Sequence, residues 1–424
     1  MTRPTVFVAG TDIGARTLWT WQWHDSSAPG YAVVDAQKLE SGRKALAMAL
    51  PDPIPGVDKP GENTEIGELV GNLDATAARL RRFDVFAVAR CLTGAMSDQD
   101  AEICLSETLA KAFLPCDLAR EVERRCSSRD PGLFRVLPPP SAYAVPWELL
   151  PIGDRRLIEL ADIVQVAPPL GRDGTGVHPR PWTDSPPLRV VDPADRPPVL
   201  AKLKSDDADK HAERYGWAAN ELGQRYTPEQ LSHDLTRAAR SRLLWVGHVS
   251  SADGTPGSVA LEMSNDPRAG PTRLSAVTLF LDGGAAELPG TDQAWPSPSR
   301  VALIACRSGA DMSHIEPFGL VVAFLQAGAE LVTATKWTLP TDLAIAGVMR
   351  HRGAQELAPG RGPFNLAARE VDRIQSDPDP VRALGQWQRQ RLQDWRSSGS
   401  LLDSPIIWAA LANHHAPFRA VRDD

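Results

Sequence analysis

The stretch Arg300-Val-Ala-Leu-Ile-Ala-Cys-Arg-Ser-Gly-Ala-Asp-Met312 changes character within three residues. Val301, Ala302, Leu303, Ile304 and Ala305 form an apolar run of the length of a buried strand. Cys306, Arg307, Ser308 and Gly309 follow at once. A structural cysteine sits more naturally inside such a run, whereas a working thiol sits at its end, within reach of substrate and water. The alternative is a cysteine that simply closes the run as one more buried hydrophobe.

The flanking sequence alternates strands and helices. Upstream, "LRVV" (188–191) predicts a strand, and "YTPEQL" opens a helix with Thr227 as cap, Pro228 at the first helical position and Gln230 as the reciprocal capping residue. That helix is expected to run to about Arg242. "LLWVG" is the next strand and ends at His248. Long loops are expected between 250 and 300. Downstream, "FGLVVAFLQAG" is apolar on all sides, as a buried helix is, and Gly328 is placed to end it. "LVTAT" (331–335) is a strand, followed by Trp337 and a helix start near Thr341 and Asp342. Strands joined by helices predict an α/β fold with a mostly parallel sheet and right-handed crossovers.

In the N-terminal region, "TLWTWQW" places Trp19, Trp21 and Trp23 on one face of a strand, with "YAVVD" (31–35) as its hairpin partner. The tryptophans are read as core, with ligand stacking as the alternative. Leu69, Leu73, Ala77 and Leu80 mark a helix face. Ser97 with Asp100 reads as a capping box opening a helix through about Leu114. "GLFRVL" predicts a strand before the triple proline Pro138–Pro140, and the Gly/Pro-dense 171–187 a linker or long surface loop.

The chain has 424 residues, enough for two or three domains, with ordinary hydrophobic (42%) and charged (23%) content. A net charge of -7 argues against nucleic-acid binding driven by bulk charge. No apolar stretch reaches the roughly 18–20 residues of a membrane span, and the N-terminus carries no expected signal peptide. Cys91, Cys104, Cys116, Cys126 and Cys306 are odd in number and scattered, with neither metal spacing nor a disulfide framework. A reducing cytoplasm is the expected location. "VAGTDIGAR" (8–16) lacks the Lys-Ser/Thr of a phosphate-binding loop, so no nucleotide or other cofactor is expected.

In sheets of this kind, sites form at the carboxyl ends of strands. His248 ends one predicted strand and Cys306 the next. If those strands are neighbours, an imidazole faces a thiol across the sheet edge. A thiol of pKa about 8.5 is only a few per cent thiolate at neutral pH, and a nearby imidazole takes its proton. His314, close to Cys306 in sequence, is a rival base.

Several ordered segments resemble one family, the CHAT domain, a caspase-like peptidase module related to separases. They are "VPWELL" (145–150), "LLWVGH" (243–248), "VALIACRSG" (301–309), "GLVVAFLQAGAELVTATKWTLPTD" (319–342) and "SPIIWAAL" (404–411). The resemblance covers residues 131–424, with a catalytic core from about 186, and leaves 1–130 as an N-terminal α+β accessory domain. It implies Cys306 as nucleophile, His248 as acid/base partner, and backbone N–H groups of Cys306 and Val249 as oxyanion donors. Val249 stands where the family usually has glycine. The resemblance also implies an acidic reader of a basic substrate residue, with Asp342 the first candidate and Asp311 the second; the alternative for Asp342 is that it caps the next helix. Trp147 and Glu148 are read as structural. The implied function is a cysteine endopeptidase acting on polypeptides, held latent until a regulatory partner encoded nearby or a signal releases it, in a bacterial regulatory or defence setting. The rival expectations are a non-catalytic scaffold that binds a protein or peptide, and a cysteine transferase or amidase acting on small molecules.

Overall fold

The computed structural model describes residues 3–52, 54, 57, 82–168, 185–191, 216–217, 221, 226–237, 239–250, 257–263, 273–281, 297–305, 319–354, 357–358 and 360–416. Its strands, in chain order, are β1 (Thr5–Ile13), β2 (Arg16–Trp23), β3 (Gly30–Val34), β4 (Gly132–Leu137), β5 (Pro151–Ile152), β6 (Arg155–Arg156), β7 (Ala161–Val166), β8 (Leu188–Val191), β9 (Arg242–Gly247), β10 (Val249–Ser250), β11 (Ala260–Glu262), β12 (Arg273–Ser275), β13 (Arg300–Ala305), β14 (Leu331–Thr335) and β15 (Leu411–His415).

Ten of these form one sheet in the order β3-β2-β1-β4-β7-β15-β14-β13-β9-β8. The pairs β8/β9, β9/β13 and β13/β14 are parallel. So are β15/β7, β7/β4 and β4/β1. The two parallel blocks run in opposite directions and meet at the antiparallel pair β14/β15. The amino ends of β7 and β4 therefore share a rim with the carboxyl ends of β9, β13 and β14.

The central strands read as continuous apolar runs because both of their faces are covered. Val301, Leu303 and Ala305 of β13 pack with the helix Leu320–Gln326 in one core. Ala302 and Ile304 face the other core, with Val371 and Ile374 of the helix Pro363–Gln375. A register slip of one residue exchanges the two sets, so the two cores together fix the register. The chain leaves the helix Leu320–Gln326 through Gly328 at φ 111, where the Gly328 N–H donates to the Leu325 carbonyl (3.2 Å) and the Ala329 N–H to that of Phe324 (3.0 Å). Glycine takes this left-handed conformation without the Cβ clash of other residues.

The N-terminal strands belong to the same sheet. The expected boundary at residue 130 falls just before β4, and pairing continues across it, with Thr5 opposite Leu133 and Ala9 opposite Leu137. Trp19, Trp21 and Trp23 are buried on one face of β2, and the indole N–H groups of Trp21 and Trp23 donate to Glu121. Trp19 meets Trp147 edge-on at 5.6 Å between ring centroids. Asp162 on β7, buried to 1% exposure, accepts from Arg389 at 2.8 Å and from Arg3. It ties the N-terminal segment to the helix Pro380–Ser398.

Local differences from expectation have plain causes. The helix Gln99–Phe113 is capped by Asp98, whose carboxylate accepts from the Ala101 N–H at 2.9 Å; Ser97 instead donates its hydroxyl to the Gly94 carbonyl in a preceding turn. The Thr227–Gln230 capping box forms, but its helix ends at Arg237, and Arg242 already starts β9. The expected loops after 250 contain a three-stranded antiparallel sheet, β10-β11-β12, and the helix Ala276–Leu281. Strands of two or three residues are too short to show a period. The helix face at residues 69–80 and most of 171–187 lie outside the described residues.

His414 on β15 is fully buried. Its Nδ1 lies 3.2 Å from the Val332 carbonyl, its Nε2 3.1 Å from Gln165 Oε1, and Tyr143 stacks on the ring. Burial pulls its pKa down to about 4. An unfolded histidine titrates near 6.5, so the unfolded chain binds this proton first as pH falls. The contribution of His414 is complete above pH 6.5 and lost on the way down to pH 4, a difference of about 3 kcal/mol. Urea unfolding of wild type and His414→Gln is expected to show the wild type losing that much more stability between pH 7 and pH 4; parallel losses contradict it. A chain starting at residue 131 exposes the edge of β4 and uncovers Trp147, and is expected to elute as aggregates in size exclusion while the full chain does not.

Candidate functional site

Of the groups singled out in the sequence, His248 follows β9 directly on the rim shared by β9, β13 and β14. β9 and β13 pair in parallel from Leu243↔Val301 to Gly247↔Ala305. Gly247 precedes His248, and Ala305 precedes Cys306. The two chains thus leave the sheet from adjacent positions, on strands that lie roughly 4.8 Å apart. Cys306, Asp311 and His314 lie outside the described residues.

His248 is half-buried and links the main sheet to the small one. Its carbonyl accepts from the Glu262 N–H at 3.0 Å, and Val249 pairs with Leu261. In an antiparallel ladder this bond makes Val249–Leu261 a non-hydrogen-bonded pair, so the Val249 N–H points away from β11. Val249 is extended, the conformation a β-branched residue prefers. Here, then, the position after the histidine requires none of the backbone freedom of glycine.

β14 ends at Thr335, whose Oγ1 donates to the Ala305 carbonyl at 2.5 Å. Lys336 follows and is buried, its Nζ donating to Glu148 Oε2 at 2.6 Å. Burial pushes Glu148 up and Lys336 down, and each charge opposes the other's shift. Trp147 and Glu148 therefore act structurally, one toward the N-terminal layer and the other toward the loop after β14. Trp337 is buried and donates its indole N–H to the Ile406 carbonyl at 2.9 Å. Thr338 is gripped by Asp52 from the N-terminal region, with Oγ1 donating at 2.7 Å and the backbone N–H at 2.5 Å.

Asp342 serves a helix other than the expected one. Thr341 caps the helix Asp342–His351, its hydroxyl accepting from the Ala344 N–H at 3.3 Å. The Asp342 carboxylate reaches across to the helix Pro363–Gln375 and accepts from the N–H groups of Phe364 (2.8 Å) and Asn365 (3.2 Å). It joins the amino ends of two helices, where negative charge is favoured. Burial still raises its pKa to about 6, against those two hydrogen bonds. Gly362 is required by close approach, since a Cβ there falls 2.0 Å from the Asp342 carboxyl carbon.

The Lys336–Glu148 pair, Thr335 and Asp52 were not singled out in the sequence. Lys336 had a signal: a charged residue between a buried strand and a tryptophan needs an acidic partner. Asp52 had none, because its partner is 286 positions away. Among the described residues no group of three or more His, Cys, Asp or Glu is arranged to hold a metal ion, and no helix is long and apolar enough to cross a membrane.

Asp342→Ala is expected to cost about 1–2 kcal/mol of stability through the two lost caps. Asp342→Asn, whose single amide oxygen keeps one of the two acceptor contacts, is expected to cost less than the alanine change; urea midpoints measure both. Equal midpoints for wild type and Asp342→Ala contradict the capping role.

The family description of the CHAT domain matches residues 104–415. Comparison with curated proteins finds no match.

Proposed function

The chain belongs to the CHAT domain family, a family related to caspase-like cysteine peptidases, and on that premise we propose that it is a cysteine endopeptidase with His248 and Cys306 as its dyad. The observation that carries this reading is the register: Gly247 pairs with Ala305, and the histidine and the cysteine are the next residue on each strand.

In the proposed reaction, the Cys306 thiol gives its proton to His248 and the sulfur attacks the scissile carbonyl carbon. The carbonyl π pair moves to oxygen, where the N–H groups of Cys306 and Val249 hold it. As the C–N bond breaks, His248 returns the proton to the leaving amine and a thioester remains. Water, deprotonated by His248, attacks the thioester; the C–S bond breaks, and the thiolate regains its proton. The outward direction of the Val249 N–H supports its part.

A basic residue is proposed before the cut. Asp342 is partly exposed, and each of its oxygens keeps a lone pair beyond its helix contact. Asp311 is the second acidic candidate. Regulation by a partner or signal, in a bacterial regulatory or defence setting, is part of the proposal, with residues 1–130 as the receiving region. The grip of Asp52 on Thr338 supports that role by tying this region to the rim.

A peptide probe carrying a thiol-reactive group after Arg tests the assignment. It is expected to label Cys306 in the wild type, and His248→Ala is expected to label at least about 100-fold more slowly. A peptide library is expected to show Arg or Lys before the cut. Unchanged labelling in His248→Ala, or loss of cleavage only in His314→Ala, removes the dyad. A profile dominated by Asp or large apolar residues removes the basic preference.

A further inference from the structure

The two faces of the sheet are not covered alike at its N-terminal end. On one, Trp19, Trp21, Trp23, Phe134 and Val136 are buried. The pairings Phe7↔Gln22, Leu18↔Val33, Phe7↔Arg135 and Arg135↔Val164 put Phe7, Leu18, Val33 and Arg135 on the other. There Tyr31 is 75% exposed and Val33 58%, and Phe7, Leu18, Leu133 and Leu137 each keep part of their surface in water. A contiguous apolar patch of this kind marks a docking surface.

Arg135 stands within this patch. Its Nε and Nη2 are out of water with no hydrogen-bond acceptor, and the side chain makes no ion pair among the described residues. Burial pulls its pKa down, and no neighbouring charge opposes the shift. An arginine held this way costs the free chain stability and leaves donors directed for a carboxylate.

The neighbouring strand shows how the same face is closed further along. The pairing Leu133↔Asp162 puts Asp162 of β7 on the side of Arg135. The helix Pro380–Ser398 packs against β7, and Arg389 on it donates to the Asp162 carboxylate at 2.8 Å. At β7 the sheet supplies the acid and the helix the arginine. At β4 the sheet supplies the arginine, so its complement is another helix, lying beside the first and supplying the acid. A second copy of this face does not meet that need. On this side β1 to β4 carry no Asp or Glu, and their charged residues there are Arg135 and, at the β1–β2 turn, Arg16. Two copies face to face would set arginine against arginine.

We propose that the open face of β1 to β4 docks a helix of another protein, whose apolar stripe carries an Asp or Glu that pairs with Arg135. The inference is independent of the peptidase reading, and its test does not measure cleavage.

The full chain, with the photo-cross-linker benzoylphenylalanine in place of Val33, is expressed in its native cells and irradiated. The trapped peptide is identified by mass spectrometry. It is expected to come from another protein and to carry apolar residues at helical spacing with an Asp or Glu among them. A synthetic peptide of that segment is then titrated calorimetrically into the wild type and its variants. Arg135→Glu is expected to weaken binding at least about 30-fold, and changing the peptide's acid to Lys is expected to restore most of that loss. If Arg135→Glu does not fold by circular dichroism, Arg135→Gln is held to a loss of at least about 10-fold. Arg135→Leu is expected to weaken binding while the free chain keeps or raises its Tm, because no partner within the chain is stranded.

No cross-link, or one only to lipid or to a second copy of this chain, overturns the inference. So does a trapped segment without an acid, or one whose charge reversal fails to rescue Arg135→Glu. A Tm of the free chain lowered by more than about 2 °C in Arg135→Leu assigns Arg135 to the chain's own fold and overturns it as well.

Discussion

The parallel pairing of β9 with β13, which ends at Gly247 opposite Ala305, is the constraint on which the site depends. Backbone hydrogen bonds alone would tolerate a slip. The two cores do not, because Val301, Leu303 and Ala305 fill one and Ala302 and Ile304 the other. Burying each of these larger side chains contributes on the order of 1.5–3 kcal/mol, so exchanging the faces is far costlier than any local adjustment at the rim. Packing remote from the rim therefore decides which residues emerge there side by side.

Around that rim the protein buries charge and satisfies it. Lys336 with Glu148, and Asp162 with Arg3 and Arg389, are each taken out of water and matched within hydrogen-bond range. Such pairs contribute little net stability, but removing one partner strands the other and typically costs about 3–5 kcal/mol. Their effect here is on geometry: Glu148 holds the start of the loop after β14, Asp52 holds its middle, and Asp342 joins the two helices beyond it. Two of these ties cross between distant parts of the chain. The N-terminal region is thus built into the same sheet and the same rim as the family's own segments.

Strands were legible in the sequence where burial is one-sided or complete over five or more residues, as in the tryptophan face of β2 and the apolar runs of β9, β13 and β14. The Thr227–Gln230 cap was legible as well, and so was the helix start near Thr341 and Asp342, although the residue that caps it is Thr341 and not Asp342. The small sheet β10-β11-β12 was not, since its strands are too short to carry a pattern. Contacts that join distant positions left no local mark, and Asp342 illustrates the limit. Its place beside a helix start could be read, but the helix it serves begins 21 positions further on, at Pro363. Of the candidate site, the strands that lead to His248 and Cys306 were legible as buried runs, whereas their pairing was only a condition in the sequence and comes from the fold. The hydroxyl that spans the gap between β13 and β14 did not, because a threonine in a strand is ordinary until its partner is known.

The most direct test of the account is a cross-link between the two strand exits. In the full chain carrying His248→Cys, mild oxidation followed by peptide mapping reports whether positions 248 and 306 join. Neighbouring strand ends lie within the Cα separation that a disulfide spans. The account predicts that the 248–306 bridge is the dominant new linkage, formed rapidly and absent from the wild type. A folded variant in which Cys306 pairs only with other cysteines, or stays unreacted while the thiol introduced at position 248 is oxidised elsewhere, contradicts it.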